Sequence, residues 1–222
     1  AVQADLTVTY GFRKTGHILF PGTSYCGRLV CRDMGIDEHG FLGEKPYWYT
    51  YIGKEPGVLP VRCADGNKGT FGKALLIVGS RQMAGAAMLA AKSAFLTGVG
   101  MVKVVTEVRN REIVQQYLPE AMMLTYAEGA SAMEAAAFLE SLEEAAAWAD
   151  SILIGPGIGM GETAGELLKF AVQESDLPLV IDADGLNLLA RDCGLQRILA
   201  EKGAQGRAII LTPHLGEFAR LY

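Results

Sequence analysis

Side chains suited to chemistry gather in two short segments of this 222-residue chain. Val180-Ile-Asp182-Ala-Asp184-Gly-Leu-Asn187 offers two carboxylates and an amide, and Leu211-Thr-Pro-His214-Leu-Gly-Glu217 offers an imidazole. Asp182 follows an apolar run that reads as a strand. It therefore stands at a strand's carboxyl end, where open α/β sheets gather their ligands, and it could orient a ligand or a loop there. Asp184 reads as the N-cap of a helix over 184–191. His214 reads as a first-turn residue of a last helix, with Thr212 as N-cap and Pro213 at the first helical position. The positive end of a helix disfavours imidazolium, so a neutral ring with one N–H to donate to a substrate is expected. The alternative is a ring satisfied by local backbone.

Two glycine-rich turns could place backbone amides against a ligand. Gly155-Pro-Gly157-Ile-Gly159-Met-Gly161 runs from a strand into a helix. Its spacing does not match the dinucleotide fingerprint GxGxxG, yet glycines admit a close ligand and the next helix offers oriented donors. A tight strand-to-helix turn explains the same residues equally well. Residues 79–87, Gly79-Ser-Arg-Gln-Met-Ala-Gly85-Ala86-Ala87, also join a strand to a helix. Small residues there suit either a flat ligand or close helix–sheet packing, and packing is favoured. Lys68-Gly-Thr-Phe-Gly-Lys73 is not a P-loop. Its glycines are too close, Ala74 stands where Ser or Thr should be, and it precedes a strand.

The elements that must position these residues alternate. Strands are expected at 74–78, 101–106, 121–125 (weak), 151–154, 179–181 and 208–211. Helices are expected at 84–96, 109–117, 132–149, 161–174, 184–191 and near 195–202. This alternation means α/β with a mainly parallel sheet covered on both faces. Four turns then share one sheet edge, which favours a ligand cleft more than any single motif does. Upstream, 5–9 and 28–34 alternate like strands, and 35–67 is punctuated by Gly and Pro, with one aromatic run at 47–51 as a possible edge strand.

Composition narrows the partners. Half the residues are apolar and 20% are charged, which excludes a disordered chain. The net charge is −5 and no basic block stands out, so no nucleic-acid partner is expected. No apolar run reaches the roughly 20 residues of a membrane span. The four cysteines (Cys26, Cys31, Cys63, Cys193) form no CxxC and the three histidines no ligand pair, so no metal site is expected. Cys26 and Cys31 are five apart, an odd offset that on a strand points to opposite faces. Reduced thiols fit a cytoplasmic protein. The Ala-rich helix 84–96 reads as core, with a homo-oligomer contact as the alternative.

From Asn67 onward the chain resembles the dehydratase domain of the NAD(P)H-hydrate repair enzymes, the YjeF carbohydrate-kinase-like family. The matching segments are 68–80, 83–87, 97–102, 118–122, 155–159, Asp182-Ala-Asp184 with Asn187, and 211–217. Residues 4–11, 14–16 and 33–36 resemble the tail of the epimerase domain that precedes the dehydratase in bifunctional members. The resemblance implies an epimerase tail at 1–37, a linker at 38–66 and the N-terminal portion of a ribokinase-like three-layer sandwich at 67–222. It implies a lyase acting on NADH or NADPH hydrated on the nicotinamide ring. The hydroxyl is phosphorylated from ADP or ATP, with Mg2+ as an accompanying ion, and phosphate is then eliminated. Gly85, Ala86, Gly157 and His214 would line the hydrate site, with Asp182 and Asn187 in support.

The family's Gly-x-Gly-Asp segment, which carries the anion hole and the catalytic Asp, does not follow residues 211–217 here. No catalytic residue is therefore assigned. Ala1 stands where an initiator Met would be, and Tyr222 falls within a starting helix. The expectation is a portion of a bifunctional enzyme, with the sandwich incomplete at its C-terminal end and no dehydratase turnover of its own. The alternatives are a ribokinase-like kinase of a vitamin precursor or sugar, or a non-catalytic nucleotide-binding module.

Overall fold

A computed structural model describes residues 2–35 and 62–222. The chain forms two compact units, one within residues 1–61 and the other Arg62–Tyr222. In the smaller unit, β1 (Leu6–Tyr10) and β2 (Arg28–Arg32) pair in parallel, with Leu6 opposite Arg28. A short helix α1 (Thr15–Ile18) and a 3₁₀ turn (Gly22–Tyr25) connect them. Cys31 lies in β2, whereas Cys26 closes the 3₁₀ turn, its thiol donating to the Gly22 carbonyl, so the two do not share a strand. The aromatic run 47–51 lies outside the described residues.

The larger unit is a six-stranded, all-parallel sheet. Its strands are β3 (Lys73–Ile77), β4 (Met101–Glu107), β5 (Met122–Tyr126), β6 (Ser151–Ile154), β7 (Leu179–Ile181) and β8 (Ile209–Leu211). Their spatial order is β5-β4-β3-β6-β7-β8. The chain runs outward from β3 in one direction, then returns and runs outward in the other. The reversal lies between β3 and β6, where the loops leaving the two strands diverge and open a crevice.

Helices cover both faces. α2 (Ala84–Thr97) and α3 (Asn110–Tyr117) lie on one. α4 (Ala132–Trp148), α5 (Glu162–Lys169), α6 (Asp184–Leu189) and α7 (Cys193–Ala204) lie on the other. Side-chain alternation along β3 feeds both cores. Ala74, Leu76 and Val78 pack with Ala87 and Ala91 of α2 and Val114 of α3. Leu75 and Ile77 pack with Leu142, Leu168 and Leu186 from α4, α5 and α6. No described helix is long and apolar enough to cross a membrane.

The helix expected at 161–174 is interrupted. It is α-helical to Lys169 and then widens into a π turn, Phe170–Glu174. The wider turn frees carbonyls from the ordinary helical ladder, and two cations capture them. Arg207 donates from Nη2 to Ala171 O (2.8 Å), from Nη1 to Val172 O (3.0 Å) and from Nε to Leu177 O (2.8 Å). Lys202 Nζ donates to Gln173 O and Ser175 O and pairs with Asp176 at 2.8 Å. A sequence periodicity that continues smoothly through Phe170 cannot show these remote partners.

Candidate functional site

The loops after β3, β6, β7 and β8 stand side by side, because those four strands are consecutive in the sheet. The expected edge is therefore real, and its elements position the predicted residues differently. Gly85 is the second residue of α2, with open space where a β-carbon would lie. Ala86 faces Gly157. A β-carbon at Gly157 would meet that of Ala86 at 2.7 Å and that of Met83 at 2.9 Å, and Gly157 has φ +67°. These two glycine-rich turns thus pack on one another, and only glycine fits the contact. Gly79 N–H donates to Pro156 O at 2.9 Å, which joins the same two turns through backbone.

Asp182 and Asp184 point to different neighbours. Asp182 Oδ1 accepts from the Thr212 hydroxyl at 2.7 Å, and Asp184 Oδ2 accepts from the Gly159 amide at 2.9 Å. Asp184 is therefore not the expected N-cap. It is the first residue of α6, and Ala183 precedes it with φ +48° and ψ −117°. Ala183 is the sole non-glycine residue with positive φ among the described residues. Such a conformation costs on the order of 1–3 kcal/mol and persists only where the surroundings impose it. Asn187 Nδ2 donates to Ala183 O at 3.2 Å, and its Oδ1 accepts from Arg220 at 2.6 Å. Asn187 also lines a 510 Å³ cavity with Asp184, Arg191 and Arg220.

His214 departs from the expected role in one respect. The final helix, α8, is Leu215–Leu221, and its N-cap is His214 rather than Thr212. The Thr212 hydroxyl donates to Asp182 Oδ1 and lies two residues before the observed cap. His214 Nδ1 accepts from the amides of Gly216 (3.0 Å) and Glu217 (3.4 Å). Glu217 Oε2 accepts from the His214 amide at 3.0 Å, which completes a reciprocal capping box. Nδ1 is thus unprotonated, and the ring's N–H is Nε2, 3.1 Å from the buried Glu217 carboxylate. The N–H expected for a substrate faces Glu217, while the ring itself is exposed.

A cleft of about 710 Å³ lies at the β3/β6 reversal. Ser80 and Arg81 line it from the β3 turn, Tyr126 and Glu128 from the end of β5, and Gly159 and Met160 from the β6 turn. Tyr126 and Glu128 lie outside the segments that the sequence points to, whereas Ser80 belongs to the 79–87 turn. The signal that would have found the first two is the strand-end rule applied to β5 as it was to β7. A buried polar cluster shapes this wall. Asn110 Nδ2 donates to Ser80 O (3.0 Å) and Thr106 Oγ1 (2.9 Å), and Thr106 Oγ1 donates to Gly79 O (3.2 Å). The Tyr126 hydroxyl donates to Gly79 O at 3.5 Å. Burial, helped by the nearby Glu128 and Glu107 carboxylates, pushes the Tyr126 phenol up to about 12. The ring is a neutral donor at physiological pH and holds the turn that faces Gly157.

With that geometry in place, likeness to known proteins is informative. The bifunctional NAD(P)H-hydrate repair enzyme Nnr of Coxiella burnetii is 36% identical over 224 aligned residues, covering 100% of this chain and 41% of that protein. The chain thus spans about two fifths of the length of that relative. An ADP/ATP-dependent NAD(P)H-hydrate dehydratase from Bacillus subtilis, crystallised with ATP/Mg2+, is 31% identical. It superposes with a TM-score of 0.53 over 73% of this chain and 51% of that one. A ribokinase-like superfamily protein from Enterococcus faecalis is 28% identical, with a TM-score of 0.60 over 72% and 51% of the two chains. The larger unit therefore has a ribokinase-like fold. The family described as NAD(P)H-hydrate dehydratase matches residues 74–222, and the chain belongs to that family.

Proposed function

We propose that this chain supplies the hydrate-binding wall of an ADP/ATP-dependent (S)-NAD(P)HX dehydratase, within a bifunctional epimerase/dehydratase that repairs hydrated NADH and NADPH. The observation that carries this is the row of four loops after β3, β6, β7 and β8, within a segment that matches the dehydratase family throughout. Residues 1–37 would be the end of the epimerase domain, 38–66 the linker and 67–222 the dehydratase portion. Gly85, Ala86, Gly157 and His214 would line the site, and Asp182 and Asn187 would support it. The protein would work in the cytoplasm, alone or as a homo-oligomer.

The chemistry explains why a kinase-like fold serves a dehydratase. Hydroxide leaves a saturated ring carbon poorly. Its oxygen takes the terminal phosphoryl group of ADP or ATP, releasing AMP or ADP. Loss of phosphate with a ring proton then restores the double bond. The residues of this chain bind and orient the hydrate. Mg2+ would travel with the nucleotide phosphates.

Calorimetric titration of the chain with (S)-NADHX, (S)-NADPHX, NADH and a vitamin-precursor alcohol tests the reading. Saturable binding of the hydrates, weaker for NADH, is expected. Preference for the alcohol would support a ribokinase-like small-molecule kinase instead.

A further inference from the structure

We propose that Asp184 is a positioning residue that sets the spacing between Gly157 and His214, acting from the strained turn at Ala183. This rests on the hydrate-site reading above. The turn 182–184 reaches both of its neighbours. Asp184 accepts from Gly159 in the β6 loop at 2.9 Å, and Asp182 accepts from Thr212 in the β8 loop at 2.7 Å. Those two loops carry Gly157 and His214.

Residues 155–161 need such a hold. Gly155, Gly157 and Gly159 all have positive φ, so the loop is built from its most permissive residues. Among the described residues, the Asp184 carboxylate makes the one side-chain hydrogen bond to this loop. A carboxylate accepting from a backbone amide is stronger than a neutral pair and fixes one loop point relative to α6. Gly157, two residues away, is fixed on its other side by Ala86 and Met83.

Strain at Ala183 indicates what the turn is for. A tight turn, closed by Gly185 N–H on Asp182 O at 3.0 Å, joins β7 to α6 and holds Ala183 at φ +48° and ψ −117°. That conformation sends the carboxylates of two residues flanking one alanine to loops on opposite sides of β7. Strain kept at such a point marks a geometry imposed by its surroundings. Ala183 O is also held by Asn187, itself bonded to Arg220 of α8, so the clasp extends to the helix that His214 caps.

The test compares Asp184→Ala, Asp184→Asn and Ala183→Gly, reading (S)-NADHX affinity and the NMR shift and exchange rate of the Gly157 and Gly159 amides. Asp184→Ala is expected to weaken binding about tenfold and to speed Gly159 exchange by a similar factor. Asp184→Asn keeps an acceptor and restores most of both. Ala183→Gly raises the melting temperature yet weakens binding, an opposition that a purely structural turn would not produce. Equal behaviour of the Ala and Asn variants overturns the proposal, as does a loosened Gly159 with unchanged affinity. If the parent chain binds no hydrate, the functional reading fails. The positioning claim then stands or falls on whether Asp184→Ala shifts Gly157. If Asp184→Ala does not fold, the other two variants decide.

Discussion

Gly157 and Ala86 face each other so closely that a β-carbon on the first would lie 2.7 Å from that of the second. Gly157→Ala is therefore expected to force the β3 and β6 turns apart. With φ at +67° as well, the cost is about 1–3 kcal/mol of stability, and hydrate binding is lost. Gly85→Ala, one residue before Ala86, meets open space and should stabilise α2 by up to about 1 kcal/mol. If a ligand lies on that surface, the added methyl weakens its binding while raising the melting temperature. Thermal melts and calorimetric titration of both variants read these outcomes.

The His214 capping box separates a cap from a ligand contact. His214→Ala removes the Nδ1 acceptor and is expected to cost about 1 kcal/mol. His214→Asn keeps a good capping oxygen and should restore the melting temperature. Hydrate binding should stay weakened in both variants if the exposed ring edge touches the ligand. Recovery of binding with Asn would leave His214 as a cap alone.

Arg207 holds three carbonyls that the π turn and its exit leave without helical partners. Arg207→Ala is expected to destabilise the larger unit by about 2–4 kcal/mol, by leaving those acceptors unpaired. Arg207→Lys recovers only part, because an ammonium lacks the planar fork that spans Ala171, Val172 and Leu177. Urea denaturation of the three proteins measures this.

Tyr126 makes stability sensitive to alkali. Its phenol is neutral up to about 12 in the fold, against an ordinary value of 10.0. The unfolded chain loses this proton first, so the contribution is fully present below about pH 10 and is lost as pH rises to about 12. The loss amounts to roughly 3 kcal/mol. Tyr126→Phe should show a smaller drop over that window, and ultraviolet titration should show one phenol fewer ionising late.

Regular elements were legible because local pattern and burial agree. The strand expected at 151–154 is observed as such, since its apolar run is bounded by Asp150 and Gly155. The sequence errs where a distant partner decides. Thr212-Pro213 has the form of a helix start, but Asp182 takes the threonine hydroxyl, and the helix begins after His214. Asp184 has the form of an N-cap, but its carboxylate is drawn to Gly159, 25 residues away in sequence. The weak strand at 121–125 lies one residue later, which puts Tyr126 at a strand end on the cleft wall. By sequence the glycine turns suit either ligand loops or packing. Gly157 against Ala86 shows the packing, and the cleft beside Gly159 leaves room for the other role.

β3 is the wall shared by both cores, Ala74 and Leu76 on one side, Leu75 and Ile77 on the other. Neither helical layer can melt while the other persists without stripping one face of the same five-residue strand. Denaturation of the larger unit should therefore be a single cooperative event. The slowest amide exchange would fall on β3, at the rate of global unfolding, rather than on any of the longer helices outside it.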